Sequence, residues 1–196
     1  MLDSLEVSYL ANRDDNLHFC LLTDFTDCDY ETAPTDEALI THASKAIIAL
    51  NDKYRTSRAG NKIAPFLLLH RPRRWNAQEK LWMGYERKRG KLSDLNALLR
   101  KSLHAQSSTL FSVMIGDVEA LSSVKYVITL DTDTQLPRDS AHQLVATIAH
   151  PLNKAKFDQN QAHVTEGYAY CNLEWLQVCQ AQVRHFTKSC VAVKQG

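Results

Sequence analysis

Tyr126-Val127-Ile128-Thr129-Leu130-Asp131-Thr132-Asp133-Thr134 is the stretch on which the reading of this chain turns. A β-branched, apolar run of strand length delivers two carboxylates, two residues apart, into the loop after it. A turn after the strand can present both carboxylates to one ligand. Hard divalent cations such as Mg²⁺ or Mn²⁺ prefer such oxygen donors, and a cation held there can bridge to a diphosphate. Ordinary turn chemistry also places Asp and Thr after strands, so the pattern needs support from its surroundings.

Working outward, Val124 to Leu130 sits in a regular alternation. Helical spacing at Leu2, Leu5 and Tyr9 predicts a helix over 2–10. Leu17 to Leu22 reads as a buried strand ending in Thr23-Asp24. A helix is predicted over 33–54, with Thr35 as N-cap and an apolar face through Leu39, Ala43, Ala46, Ile47 and Leu50. Ala64 to Leu69 reads as a second strand and 91–103 as an amphipathic helix with Leu92, Leu95, Leu98 and Leu99 on one side. Leu110 to Ile115 is a further strand, and Pro137 introduces a helix over 138–150. Helices alternating with short apolar strands argue for an α/β fold with a mostly parallel sheet and flanking helices. In such sheets ligands lie beyond the carboxyl ends of the strands, which is where Asp24 and Asp131 fall.

Charge is unevenly spread. His70 to Lys91 holds eight Lys or Arg against two Glu, +6 in a chain whose total is +1. That suits an anionic small ligand; the acidic remainder and the lack of a recognised module argue against nucleic acid. Within the patch, Arg89-Gly90-Lys91 stands just before the expected helix. Either this is a solvated basic turn, as charge runs usually are, or it is a phosphate site in which Gly90 admits close backbone approach, the helix N-terminus offers amide donors, and Arg89 and Lys91 balance a diphosphate. Upstream, Arg71, Arg73, Trp75 and Trp82 offer guanidinium groups and rings for a sugar or base face, or simply pack on the domain.

Five cysteines with no Cys-x-x-Cys spacing read as free thiols of a reducing compartment. No apolar run reaches the roughly 18 residues that span a bilayer, and no basic, apolar leader opens the chain. Composition is that of a folded protein, 44% hydrophobic and 23% charged.

Several blocks together resemble the glycosyltransferase domain of cyclic β-1,2-glucan synthases. They are Leu5-Glu6-Val7-Ser8-Tyr9-Leu10-Ala11-Asn12, Leu21-Leu22-Thr23-Asp24-Phe25, Leu68-Leu69-His70-Arg71-Pro72-Arg73-Arg74-Trp75-Asn76, Trp82-Met83-Gly84-Tyr85-Glu86-Arg87-Lys88-Arg89-Gly90-Lys91, Val127 to Asp139, and Glu166-Gly167-Tyr168. The resemblance runs in one register to about Tyr170. It implies a GT-A-like fold, of which residues 1–170 form an incomplete part. It also implies UDP-glucose as donor, a growing glucan as acceptor, a divalent metal, and inverting transfer. The parent would be a large synthase anchored at the cytoplasmic face of the bacterial inner membrane.

By the same resemblance, Asp131 and Asp133 form the donor site, with Asp133 the metal ligand. Asp24 resembles the aspartate that contacts uracil in related transferases. Arg89, Lys91 and Asn96, read from the basic turn and the helix after it rather than from the resemblance, are expected to bind the substrate. The same residues would also serve a nucleotide-sugar-binding module without turnover, because the family's catalytic base and acceptor motif do not occur here. A phosphotransferase with Asp131 as nucleophile is disfavoured by Gln135. The fold's usual first strand is expected to be missing, leaving an open sheet edge. Residues 171–196 depart from the family's text. They are expected to be a reading-frame artefact that packs poorly or forms an isolated helix over 173–183.

Overall fold

The computed structural model describes residues 2–58, 61–100, 110–131, 134–158, 163–168 and 189–195. Helix α1 (Leu2–Ala11) leads into strand β1 (Leu17–Asp24), followed by α2 (Asp36–Tyr54) and a small hairpin of β2 (Thr56–Arg58) and β3 (Asn61–Ile63). Strand β4 (Phe66–Arg71) is followed by a second hairpin, β5 (Arg74–Asn76) and β6 (Leu81–Met83), and then α3 (Arg87–Arg100). After β7 (Val113–Ile115) come β8 (Val124–Leu130), α4 (Ser140–Ala149), the hairpin β9 (Lys156–Asp158) and β10 (His163–Glu166), and β11 (Ser189–Gln195).

The main sheet has the order β7-β4-β1-β11-β8. At its centre β1 and β4 run parallel, with Phe19 opposite Phe66 and Asp24 opposite Arg71. Every residue of both strands is buried, as expected when both faces are covered by helices. Alternation then assigns the faces. Phe19, Leu21, Phe66 and Leu68 join Leu5 and Tyr9 of α1, Ile47 of α2, and Ala141 and Val145 of α4 in one core. Cys20, Leu22, Leu67 and Leu69 join Leu95 and Leu98 of α3, with Phe111 and Leu121, in the other.

The α/β class holds, but the sheet is mixed rather than mostly parallel. β7 runs antiparallel to β4, and β11 runs antiparallel to both of its neighbours, β1 and β8. The backbone of β11 therefore satisfies one edge of β1 and one of β8. β1 is thereby an interior strand, and the outer strands of the sheet are β7 and β8. The C-terminal segment does not pack poorly throughout, since 189–195 lies inside the sheet; the expected helix over 173–183 lies outside the described residues. β1, β4 and β8 still point the same way, so their carboxyl ends share one end of the sheet. Burial alternates along β8, with Lys125, Val127 and Thr129 exposed and Ile128 and Leu130 buried, so one face of the strand is open.

Two helix starts differ from expectation. Thr35 makes no capping bond through its side chain; the Asp36 carboxylate instead accepts from the Ala33 amide at 2.7 Å. α3 begins at Arg87, one turn before Lys91, so Gly90 lies inside the helix and its amide donates to Glu86 O at 3.1 Å.

A single buried side chain ties the first helix to the last described one. Asn12 Nδ2 donates to Ser8 O, Leu136 O and Pro137 O, and Asn12 Oδ1 accepts from the Ala141 amide at 3.0 Å. Asn12→Ala takes the acceptor from the Ala141 amide and a donor from Ser8 O, Leu136 O and Pro137 O, of which Pro137 O keeps Ser140 N and Oγ. It is expected to cost about 3 kcal/mol in urea unfolding, whereas Asn96→Ala, at an exposed position of α3, changes stability by about 0.5 kcal/mol or less. Equal effects would show that Asn12 does not clamp the two helices.

Candidate functional site

The alternation that divides the core also divides the carboxyl end of the sheet. On the α3 face, β1 and β4 end in Asp24 and Arg71. On the α2 face they end in Thr23 and His70. The two faces have different chemistry.

On the α3 face Asp24 is shared. Lys91 Nζ lies 3.0 Å from Asp24 Oδ1 and Arg71 Nη2 lies 3.1 Å from Asp24 Oδ2. Arg71 Nη1 reaches Asp94 Oδ2 at 2.9 Å, and Arg71 Nη2 also donates to Tyr85 O at 3.0 Å and Arg87 O at 3.3 Å. Two cations meet two anions, and Lys91 has no exposed surface. Burial pulls the Lys91 ammonium below its usual pKa, against the opposing field of Asp24. Two glycines make room for this cluster. A Cβ at Gly84 would stand 2.4 Å from Asp24 Oδ2, and one at Gly90 would stand 2.1 Å from Tyr85 O and 2.8 Å from Arg71 Nη1. The glycine read as a place for ligand approach is thus a place where the protein's own backbone closes on its arginine.

Lys91 and Asp24 therefore hold each other. Arg89 points outward, paired with Glu86 at 2.6 Å, and Asn96 is exposed on α3. The cation that meets the end of β8 is Lys88, whose Nζ lies 2.5 Å from Asp131 Oδ1, both side chains being about half-exposed. Reading the helix as starting at Lys91 conceals this, because the true start places Lys88 in the first turn. Asp133 lies outside the described residues. Among the described residues no three His, Cys, Asp or Glu come together as a metal site.

On the α2 face Thr23 Oγ1 and His70 Nδ1 share a hydrogen bond of 2.8 Å. The two line a cleft of about 200 Å³ with Phe25, Asp36, Leu39 and Arg73. Arg73 is buried and bidentate on Asp36, donates to Thr26 O at 2.7 Å and Glu31 O at 3.2 Å, and lies over the Phe25 ring. Burial would raise the Asp36 carboxyl, but Arg73 and the Ala33 amide hold it below its usual value. Of the basic residues read as a ligand patch, Arg71 and Arg73 are thus internal struts. Burial drives His70 down from 6.5 to about 4, although Asp24 and Asp36 oppose this; His70 is neutral at pH 7.

No family model matches the chain. Over 169 residues, 86% of its length, it is 38% identical to the cyclic beta-(1,2)-glucan synthase NdvB of Rhizobium meliloti (strain 1021). The chain spans 6% of that protein. The resemblance to cyclic β-1,2-glucan synthases is thereby borne out, at the scale of a fragment. No helix among the described residues is long and apolar enough to cross a membrane.

The buried groups carry two expected outcomes. In a double-mutant cycle, Asp24→Asn and Lys91→Met should each destabilise by about 3 kcal/mol, with a coupling of about 1–3 kcal/mol; additive effects would mean that the pair does not act as a unit. His70 has a lowered folded pKa, so the unfolded chain takes up the proton first. Its contribution is complete above pH 6.5 and is lost as the pH falls toward 4, amounting to about 3 kcal/mol. His18, also lowered by burial, adds in the same direction. Chemical denaturation against pH should show a shallower fall in His70→Phe, and an imidazole signal of His70 titrating near 6.5 in the folded chain would contradict the assignment.

Proposed function

We propose that this chain carries the donor-binding part of an inverting glucosyltransferase that takes UDP-glucose and extends a β-1,2-glucan. The observation that carries the reading is the approach of Lys88, in the first turn of α3, to Asp131 at the carboxyl end of β8. An exposed carboxylate and an exposed ammonium meet where three strands end, in a chain similar to a glucan synthase.

The roles are assigned from charge and exposure. Asp131 offers a hard, solvent-accessible oxygen donor, and Asp133 comes two residues later in the sequence. These two would hold a divalent cation, Mg²⁺ or Mn²⁺, which when bound neutralises the diphosphate of the departing UDP. Lys88 is already partnered with a carboxylate, so phosphate oxygens can compete for its ammonium without a new charge being buried. Arg89 is the next residue, exposed, and able to turn from Glu86 to an anion. Asp24 and Lys91 serve as the base on which this corner is built.

Transfer itself requires the acceptor 2-hydroxyl to attack the anomeric carbon as the bond to phosphate breaks, with a base taking the hydroxyl proton. The family's base motif has no counterpart in this sequence. The chain is therefore proposed to bind the donor without making glucan alone, and the remainder of a membrane-anchored synthase is its proposed partner.

Calorimetry with UDP should show tighter binding when Mn²⁺ or Mg²⁺ is present. Lys88→Ala should weaken that binding roughly 10- to 100-fold, the worth of one or two charge-assisted hydrogen bonds, and Asp133→Ala should remove the metal dependence. Metal-dependent UDP binding that survives Asp133→Ala unchanged would sink the assignment, as would radiolabelled glucan made from UDP-glucose by the isolated chain.

A further inference from the structure

The hairpin β5–β6 has a feature that neither core uses. Trp75 stands directly opposite Trp82 across the two strands, so both rings lie on one face of the hairpin. Their centroids are 5.8 Å apart and the ring planes are inclined by 58°. Trp75 is 51% exposed, and Trp82 is partly so.

This ledge is held rigidly. Trp82 exchanges two backbone hydrogen bonds of 2.9 Å with Cys28, in the segment after β1. Asn76 Oδ1 accepts from the Gln78 and Glu79 amides in the turn, and Asn76 Nδ2 rests on Met83 Sδ. The hairpin begins three residues after Arg71 and ends four residues before Arg87, so it rises from the same end of the sheet as Asp24, Lys88 and Asp131. Large exposed apolar residues near it in the chain, Tyr30 and Tyr85, are also aromatic. A protein partner is usually met by a mixture of aromatic and aliphatic side chains. Among the described residues of the hairpin and the chain directly flanking it, the large apolar side chains that are exposed are rings, Trp75 and Tyr85; such rings suit the C–H face of a pyranose, whose hydroxyls stay in water.

We infer that the Trp75–Trp82 ledge binds the glucan acceptor, and that its tilt favours a bent β-1,2-linked chain over a flat one. The identity of the glycan rests on the function proposed above; the ledge itself does not. Each β-1,2 linkage turns one pyranose face away from the last, so successive sugars present inclined faces. Two rings inclined by 58° match that arrangement. A β-1,4-linked ribbon, with its sugars nearly coplanar, can lie on one ring but not on both.

The test uses the full chain and tryptophan fluorescence. Titrations employ a linear β-1,2-linked glucooligosaccharide and a cello-oligosaccharide of equal length, with UDP plus Mn²⁺ measured separately by calorimetry. The β-1,2-linked chain is expected to bind at least tenfold more tightly than the cello-oligosaccharide. Trp75→Ala should weaken it tenfold or more, Trp75→Phe should recover most of the loss, and UDP binding should be the same in all three proteins. If UDP binds but the β-1,2-glucan does not, or if Trp75→Ala leaves glucan affinity unchanged, the ledge inference fails and the donor reading stands. Equal affinity for both glucans overturns the argument from tilt. Loss of UDP affinity in Trp75→Ala makes the ring a base platform and overturns the proposal. Glucan binding without UDP binding supports the ledge and refutes the donor site.

Discussion

Asp24 is the constraint on which this end of the molecule depends. It closes β1, faces Arg71 at the end of β4, and takes Lys91 from α3. Removing these charges from water is costly, and the arrangement holds because each has a partner and Arg71 has four acceptors. No single member can leave without stranding another. The positions of two parallel strands and one helix are therefore set relative to each other by one carboxylate.

That constraint also disposes the exposed groups. With Lys91 turned inward on α3, Lys88, one helical turn earlier, faces the end of β8, and Arg89 faces solvent. With Arg71 and Arg73 turned inward on either side of β4, the next residues, Arg74 and Trp75, are exposed on the hairpin. Pulling alternate basic residues into the interior leaves their neighbours displayed. Of the eight basic residues in the +6 segment, three (Arg71, Arg73 and Lys91) are internal struts and five are exposed, and the exposed five are what a ligand meets.

Sequence patterning reveals the elements whose burial is continuous. β1 and β4 are mainly apolar runs that end in polar residues, and patterning places both within two residues of their observed limits. The carboxylates at strand ends are legible for the same reason. The start of α3 is not, because Gly90 looks like a boundary when only its conformational freedom is considered. Its close contact with Tyr85 O and Arg71 depends on chain folding that local sequence does not encode. The placement of Lys91 is hidden likewise: a lysine in a basic run reads as solvated, and only the parallel register of Asp24 with Arg71 creates a buried anion for it. β11 escapes patterning too, since its position depends on the pairing capacity left on β1 and β8. The Asp131 site is legible as a strand with a carboxylate, but its cation, Lys88, emerges only once α3 has its true start.

The central claim is a division of labour: Asp24, Lys91 and Arg71 fix the corner, while Lys88 and Asp131 meet the donor. A crystal structure of the chain with UDP and Mn²⁺ tests it most directly. The account predicts that Lys88 Nζ leaves Asp131 for a phosphate oxygen, that Asp131 turns to the metal, and that Lys91 stays on Asp24 at about its present 3.0 Å. A diphosphate bound by Lys91, with the Asp24 pair broken, would contradict it.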